Sequence, residues 1–162
     1  MLGITTTPDA AEMMQIGSHR PSSCTVKNSI FKYADSHAIE MNGQDNRIEN
    51  CLFRYIDWSA SEIPFLMATI YMRGSNAQFV RNTVHHTGAS QVMNFYADTD
   101  SGMLPPLVEY NRFYRFGLIQ DDGSAIHITN PSQPGCFIRY NWASDSPQYG
   151  CLLYTSPSPR DA

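Results

Sequence analysis

No stretch of this chain is apolar for long enough to cross a bilayer. The longest such run, Ile63 to Met72, falls well short of the roughly 20 residues that a spanning helix needs. There is no excess of basic residues either: 11 Lys and Arg stand against 15 Asp and Glu, a formal net charge of −4. That balance gives no electrostatic case for nucleic acid or an anionic membrane as a partner. Cysteine is scarce, at four residues; with Cys151 set aside in a C-terminal segment of different style, the three that remain, Cys24, Cys51 and Cys136, have neither the even count nor the spacing of a disulfide framework or a zinc site. They read as buried thiols, and no metal-ligand cluster is assigned. A sustained 3.6-residue apolar period is also missing, which disfavours helices. No basic segment leading into a short apolar run opens the chain, so no export signal is visible. What remains is one domain with room for a core, read as a monomer.

The chain does have repetition. Five segments align without gaps: VKNSIFKYAD from Val26, IENCLFRYID from Ile48, FVRNTVHHTG from Phe79, VEYNRFYRFG from Val108 and IRYNWASDSP from Ile138. Their first column (Val26, Ile48, Phe79, Val108, Ile138) and sixth column (Phe31, Phe53, Val84, Phe113, Ala143) are apolar throughout. The third or fourth column carries an asparagine in every copy: Asn28, Asn50, Asn82, Asn111, Asn141. Asparagine suits a bend between strands because it tolerates the left-handed backbone region and hydrogen-bonds its neighbours. Stacked copies would set these amides in a ladder. A further strand lies in the rest of each complete unit: Ala38–Met41, Thr69–Met72, Gln91–Phe95 and Ala125–Ile128. One such unit cannot bury its apolar face alone, whereas stacked units form a continuous core. The period predicts an all-β fold, a parallel β-helix of about five coils.

The elements VEYNRF, DDGSAIHI and FIRYNW resemble the right-handed β-helix proteins of the pectate-lyase-like superfamily, and more narrowly its carbohydrate-active members. The likeness covers about residues 24–150. It implies polysaccharide lyases and glycoside hydrolases, extracellular or periplasmic, alongside non-catalytic stalks and adhesins. Ala143 and Ser144 depart from the larger apolar residue and histidine usual in that last copy. The segment from Cys151 to Ala162 breaks the style of everything before it and resembles the translation of a sequencing-library adapter. The domain reading is therefore a lead-in or partial coil over 1–23, the β-helix over 24–150, and a non-native tail over 151–162.

Coil length varies at two places only. Before the further strand lie the insertions Trp58 to Ala68 and Leu118 to Ser124; after it lie Tyr96 to Pro106 and Thr129 to Gly135. Both groups border one sheet, as insertions around a binding face commonly do. Opposite the inward Ile39/Met41, Ile70/Met72 and Ile126/Ile128, the outer face should present Glu40, Tyr71 and His127, joined by Met93 or Asn94. Coils about 4.8 Å apart suit a few sugar units, so the expected partner is a polysaccharide or oligosaccharide.

The richest chemical stretch is QDDGSAIHI. A hydrolase needs two carboxylates flanking the scissile bond, one protonated and one a base or nucleophile. Asp121 and Asp122 are the candidates, each raising the other's proton affinity, with Asp98, Asp100 or Glu40 as the other choices for the second partner. A lyase needs a base near the acidic C–H and a cation for the uronate carboxylate; His127, Tyr71 and Arg73 are the available types, and Asp121 or Asp122 could then hold Ca2+. The catalytic candidates are thus Asp121, Asp122 and His127, and the substrate-binding ones Glu40, Tyr71, Arg73, Asn94, Trp58 and Asp98. The plain alternative is that Asp121-Asp122-Gly123 is a turn in a non-catalytic structural or carbohydrate-binding module. Carboxylates outnumber well-placed basic residues, which favours hydrolysis over elimination. His85 and His86, adjacent on a strand, should point to opposite sides. Lys27 with Glu49, and Glu109 with Arg139, should form ion pairs between coils. Asp35 and Asp57 read as turn residues.

Overall fold

The computed structural model describes residues 15–16, 22–35, 37–58, 68–88, 91–96, 102–119, 124–128, 134–146 and 151–155. Its strands fall into three parallel sheets that the chain visits in strict rotation. Sheet I contains β1 (Gln15–Ile16), β4 (Ile39–Asn42), β7 (Ala68–Arg73), β10 (Gln91–Tyr96), β13 (Ser124–Ile128) and β16 (Cys151–Thr155). Sheet II contains β2 (Thr25–Lys27), β5 (Arg47–Glu49), β8 (Gln78–Val80), β11 (Leu107–Glu109) and β14 (Phe137–Arg139). Sheet III contains β3 (Ile30–Lys32), β6 (Leu52–Ile56), β9 (Thr83–Thr87), β12 (Arg112–Tyr114) and β15 (Trp142–Ser144). Each strand pairs in parallel with its equivalent one coil away, which is the β-helix that the repeat predicts. The ten-residue segment is two strands, one in sheet II and one in sheet III, separated by the asparagine-bearing corner.

Register follows the columns. Val26 lies beside Ile48, Ile48 beside Phe79, Phe79 beside Val108, and Val108 beside Ile138. The sixth column stacks likewise, Phe31–Phe53–Val84–Phe113–Ala143. The two files meet inside the helix with Ile39, Met41, Ile70, Met72, Met93 and Ile126 in one core cluster. Phe31 stacks on Phe53 at 4.8 Å between ring centroids, and Phe79 on Phe113 at 6.3 Å. Each buried phenyl ring removes apolar surface worth roughly 1.5–3 kcal/mol.

The corner between sheets II and III is two residues long in every coil, and its two positions do different work. The third-column residues Asn28, Asn50, Arg81, Tyr110 and Tyr140 are left-handed, with φ from +51 to +58°. The fourth-column residues Asn82, Asn111 and Asn141 point inward as a ladder. Asn111 Oδ1 accepts from the Asn82 backbone N–H at 2.8 Å, and Asn141 Oδ1 from that of Asn111 at 3.0 Å. Their amide nitrogens donate to the backbone carbonyls of Ile48, Phe79 and Val108 at 2.8–2.9 Å. Asn28 and Asn50 pair side chain to side chain at 2.8 Å on the exposed side instead. The single asparagine column of the alignment is therefore two structural positions, one a conformational choice and the other a buried hydrogen-bonding partner.

Candidate functional site

Sheet I is where the coils differ. Sheets II and III are joined by an invariant two-residue corner, while the connections entering and leaving sheet I vary, from residues 88–90 to 57–67 on one side and from 43–46 to 97–106 on the other. Variation of this kind sits on the surface around a face that the regular strands hold rigid.

On that face Glu40 lies beside Tyr71, Tyr71 beside Asn94, and Asn94 beside His127. Asn94, not Met93, occupies the third coil's place; Met93 faces inward with Ile70 and Ile126. The file is only partly open. Glu40 and His127 are half-buried, but Tyr71 and Asn94 are 4% and 3% exposed, so the expectation that all four present themselves to solvent is corrected for the middle pair. Tyr71 is covered edge-on by the His37 ring at 4.7 Å and flanked by the Arg73 guanidinium at 5.0 Å. His37 is itself held by its Nδ1 contact with the Ala68 carbonyl at 2.5 Å. Asn42 donates to Glu40 Oε1 at 2.9 Å, and Gln91 Oε1 accepts from Asn94 at 2.8 Å. A second outward file, Asn42–Arg73–Tyr96, lies one step along the strands. Asn42, Tyr96 and His37 were missed in the sequence, although Asn42 and Tyr96 sit two residues beyond Glu40 and Asn94, as strand alternation requires.

Asp121, Asp122, Asp98 and Asp100 lie outside the described residues. Trp58 stands away from the sheet I file, 44% exposed, beside Tyr33, Ala34, Asp35 and Tyr55 in a cleft of about 510 Å³. Among the described residues no group of three or more His, Cys, Asp and Glu side chains could hold a metal ion.

Elsewhere, the structure revises two pairings. Glu49 is bound by Arg47 and Arg81, each at 2.9 Å, and no ion pair with Lys27 occurs among the described residues. The Arg47 hydrogen bond holds the Glu49 carboxyl below its ordinary pKa, with Arg81 adding to it. The Arg139–Glu109 pair forms as expected, at 2.9 Å. His85 and His86 do not diverge. A φ of +53° at His86 breaks the alternation and brings their Nδ1 atoms to 2.6 Å. His85 is held near pKa 4 by burial first, then by His86, Arg54, Arg112 and Arg115. Cys24, Cys51 and Cys136 are free thiols, Cys51 buried and the other two half-buried. Burial pushes Cys136 up to about 11.

A family model described as a right handed beta helix region matches residues 17–160. No curated protein and no solved structure matches the chain.

Proposed function

Because the chain belongs to the right-handed β-helix family, we propose that it is a polysaccharide-binding segment of a carbohydrate-degrading enzyme, with the outer face of sheet I as its groove. The observation that supports this reading is the file Glu40–Tyr71–Asn94–His127 on the one sheet bordered on both sides by connections of varying length. Stacked coils about 4.8 Å apart set the half-buried Glu40 carboxylate and His127 imidazole at the two ends of the file for an extended glycan, over a floor of buried Tyr71 and Asn94. Tyr71 and Arg73 contribute a ring and a cation at the same place. The Asn42 amide, by donating to Glu40 Oε1, fixes the orientation of that carboxylate.

Hydrolysis fits better than elimination. In the sequence, Asp121 and Asp122 come two to three residues before β13, the strand that carries His127. In this reading one of them protonates the departing glycosidic oxygen while a second carboxylate, the other aspartate or Glu40, activates water or attacks the anomeric carbon. His127 and Arg73, the more open groups on the face, hold the sugar.

The test is reducing-end release from a panel of plant and microbial polysaccharides by the full chain, with Asp121→Asn and Asp122→Asn beside it. The expected result is a loss of turnover by about a hundredfold or more in at least one variant, with an unchanged melting transition. Unsaturated products absorbing in the ultraviolet would replace hydrolysis with elimination. Turnover untouched in both variants, or a variant that loses only stability, would make the chain a non-catalytic module.

A further inference from the structure

The groove uses one sheet, and the most unusual side-chain chemistry of the molecule lies on another. On the outer face of sheet III the fifth column reads Ile30, Leu52, Thr83, Arg112, Trp142 and the seventh Lys32, Arg54, His85, Tyr114, Ser144. The eighth column, Tyr33, Tyr55, His86, Arg115 and Asp145, forms the left-handed corner beside it. On sheet II, Glu49 and Glu109 pair with Arg47, Arg81 and Arg139. On sheet III, Lys32, Arg54, Arg112 and Arg115 form no ion pair among the described residues, although the whole chain carries a net charge of −4. These four cations outnumber the carboxylates beside them, Asp145 in the corner column and Asp35 in the cleft next to Tyr33, and hold a positive local field on an acidic molecule.

These guanidinium groups are also fixed in place. Arg112 lies between the rings of Tyr114 and Trp142, at 4.8 and 4.7 Å from their centroids. Arg54 rests over Tyr55 at 5.6 Å, and Arg115 reaches His86 Nε2 at 3.2 Å. A guanidinium stacked by its flat face keeps its N–H edge for an oxyanion and loses little freedom on binding. The two ends of the face carry open aromatic surface. At one end Tyr33, 68% exposed, and Trp58 line the cleft of about 510 Å³; at the other Trp142 is 59% exposed.

We propose that the outer face of sheet III is a second binding surface, taking a carboxylated polysaccharide chain laid along the helix axis. Arg54, Arg112 and Arg115 receive its carboxylates, and the Tyr33–Trp58 cleft and Trp142 receive sugar rings at the ends. Arg54 and the Arg112/Arg115 pair lie two coils apart, about 10 Å. An extended glycan whose alternate units face the same way presents its carboxylates at that kind of interval. Single-stranded nucleic acid needs a run of free ring faces for successive bases, and here the open rings stand only at the two ends, while between them Tyr55 is covered by Tyr33 and His85 by Tyr114. A second copy of the chain would bring like charges together. The surface is separate from sheet I and does not depend on any reaction there.

The test is calorimetric titration of the full chain with polygalacturonate, with neutral galactan, polyglutamate and oligothymidylate as competing probes. Polygalacturonate should bind in preference to all three and weaken as salt rises. The double variant Arg54→Ala/Arg112→Ala should lose affinity by about tenfold or more, the cost of one charge-assisted pair. Arg115→Ala, on an exposed side chain, should lose less and melt like the parent, which separates binding from folding. Glu40→Gln and Tyr71→Phe should leave this affinity unchanged, whatever they do to turnover. Preference for oligothymidylate or polyglutamate, equal binding of galactan, or affinity untouched in both arginine variants would overturn the proposal.

Discussion

The inward asparagines show how much one side chain can carry in a coiled fold. Asn111 satisfies the Asn82 backbone N–H and the Phe79 carbonyl away from water, and links to the half-buried Asn141 Oδ1 at 2.9 Å. Replacing it with alanine strands two buried backbone groups at roughly 1–3 kcal/mol each, so Asn111→Ala should lower stability by about 3 kcal/mol in urea titrations without changing the slope. Asn50 is a different case. It is exposed and left-handed, so Asn50→Gly should lie within about 0.5 kcal/mol of the parent, since glycine adopts that conformation without strain. His85 yields a pH prediction whose sign follows from its direction of shift. Its ordinary pKa of 6.5 falls to about 4 in the fold, so the unfolded chain takes up the proton first. The groups facing it are His86, Arg54, Arg112 and Arg115, with the Tyr55 and Tyr114 rings alongside. Its contribution is complete above pH 6.5, declines as the pH falls toward 4, and levels off below that. Comparing the parent with His85→Gln across this range isolates the effect from the titrating carboxylates: the difference should shrink as the solution is acidified.

At the scale of strands and corners, the repeat was legible because burial is periodic. A residue that faces the core in one coil faces it in the next, so apolar columns survive even where nothing else does. Corners were legible only where their residues announce them. Asn28 and Asn50 signal a left-handed bend, but Arg81, Tyr110 and Tyr140 occupy the same position with no such signal, and the eighth-column corner carries Tyr, His and Arg. There the alternation rule fails, which is why His85 and His86 meet instead of diverging. The Lys27–Glu49 pairing failed for another reason: Arg47 and Arg81 both reach the same carboxylate, and a guanidinium's fixed fork outcompetes an ammonium. Glycine at a coil contact gives a sharp test. At Gly74, φ +116°, an added Cβ would meet the Gly43 carbonyl oxygen of the preceding coil at 2.0 Å, whereas at Gly102, φ +84°, nothing lies within 4 Å. Gly102→Ala should therefore cost about 1 kcal/mol from backbone conformation alone. Gly74→Ala adds a backbone clash and should cost several times as much, roughly 3 kcal/mol or more, in the same thermal denaturation experiment.

For the whole molecule, the sequence places the outer file of sheet I better than it describes how open that file is. Which sheet has variable borders follows from segment lengths, and the Glu40–Tyr71–Asn94–His127 file follows from alternation; how far covering groups close over Tyr71 and Asn94 does not, because that depends on side chains from other parts of the coil, such as His37. The sheet III face was overlooked for a related reason: net charge is a sum, and −4 overall hides four cations gathered on one side. Stacking also dictates how damage spreads. Each coil touches only its neighbours, so stability approximates a chain of nearest-neighbour contacts. Phe79 is fully buried in the middle of the first-column file and packs on Phe53 at 6.2 Å and Phe113 at 6.3 Å, one on each side. Phe79→Ala opens a cavity at two interfaces at once and should cost about 3–5 kcal/mol. Ile138 is half-buried and, among the described residues, paired in sheet II only to Val108, so Ile138→Ala should cost about 1–2 kcal/mol. Hydrogen exchange distinguishes the two beyond their size. The Ile138 variant should lose amide protection in β14 and β15 while β5 and β8 keep theirs, whereas the Phe79 variant should weaken protection from β5 through β11 together. Equal loss throughout in both variants would mean that the coils unfold as one indivisible unit, contrary to neighbour-by-neighbour stacking.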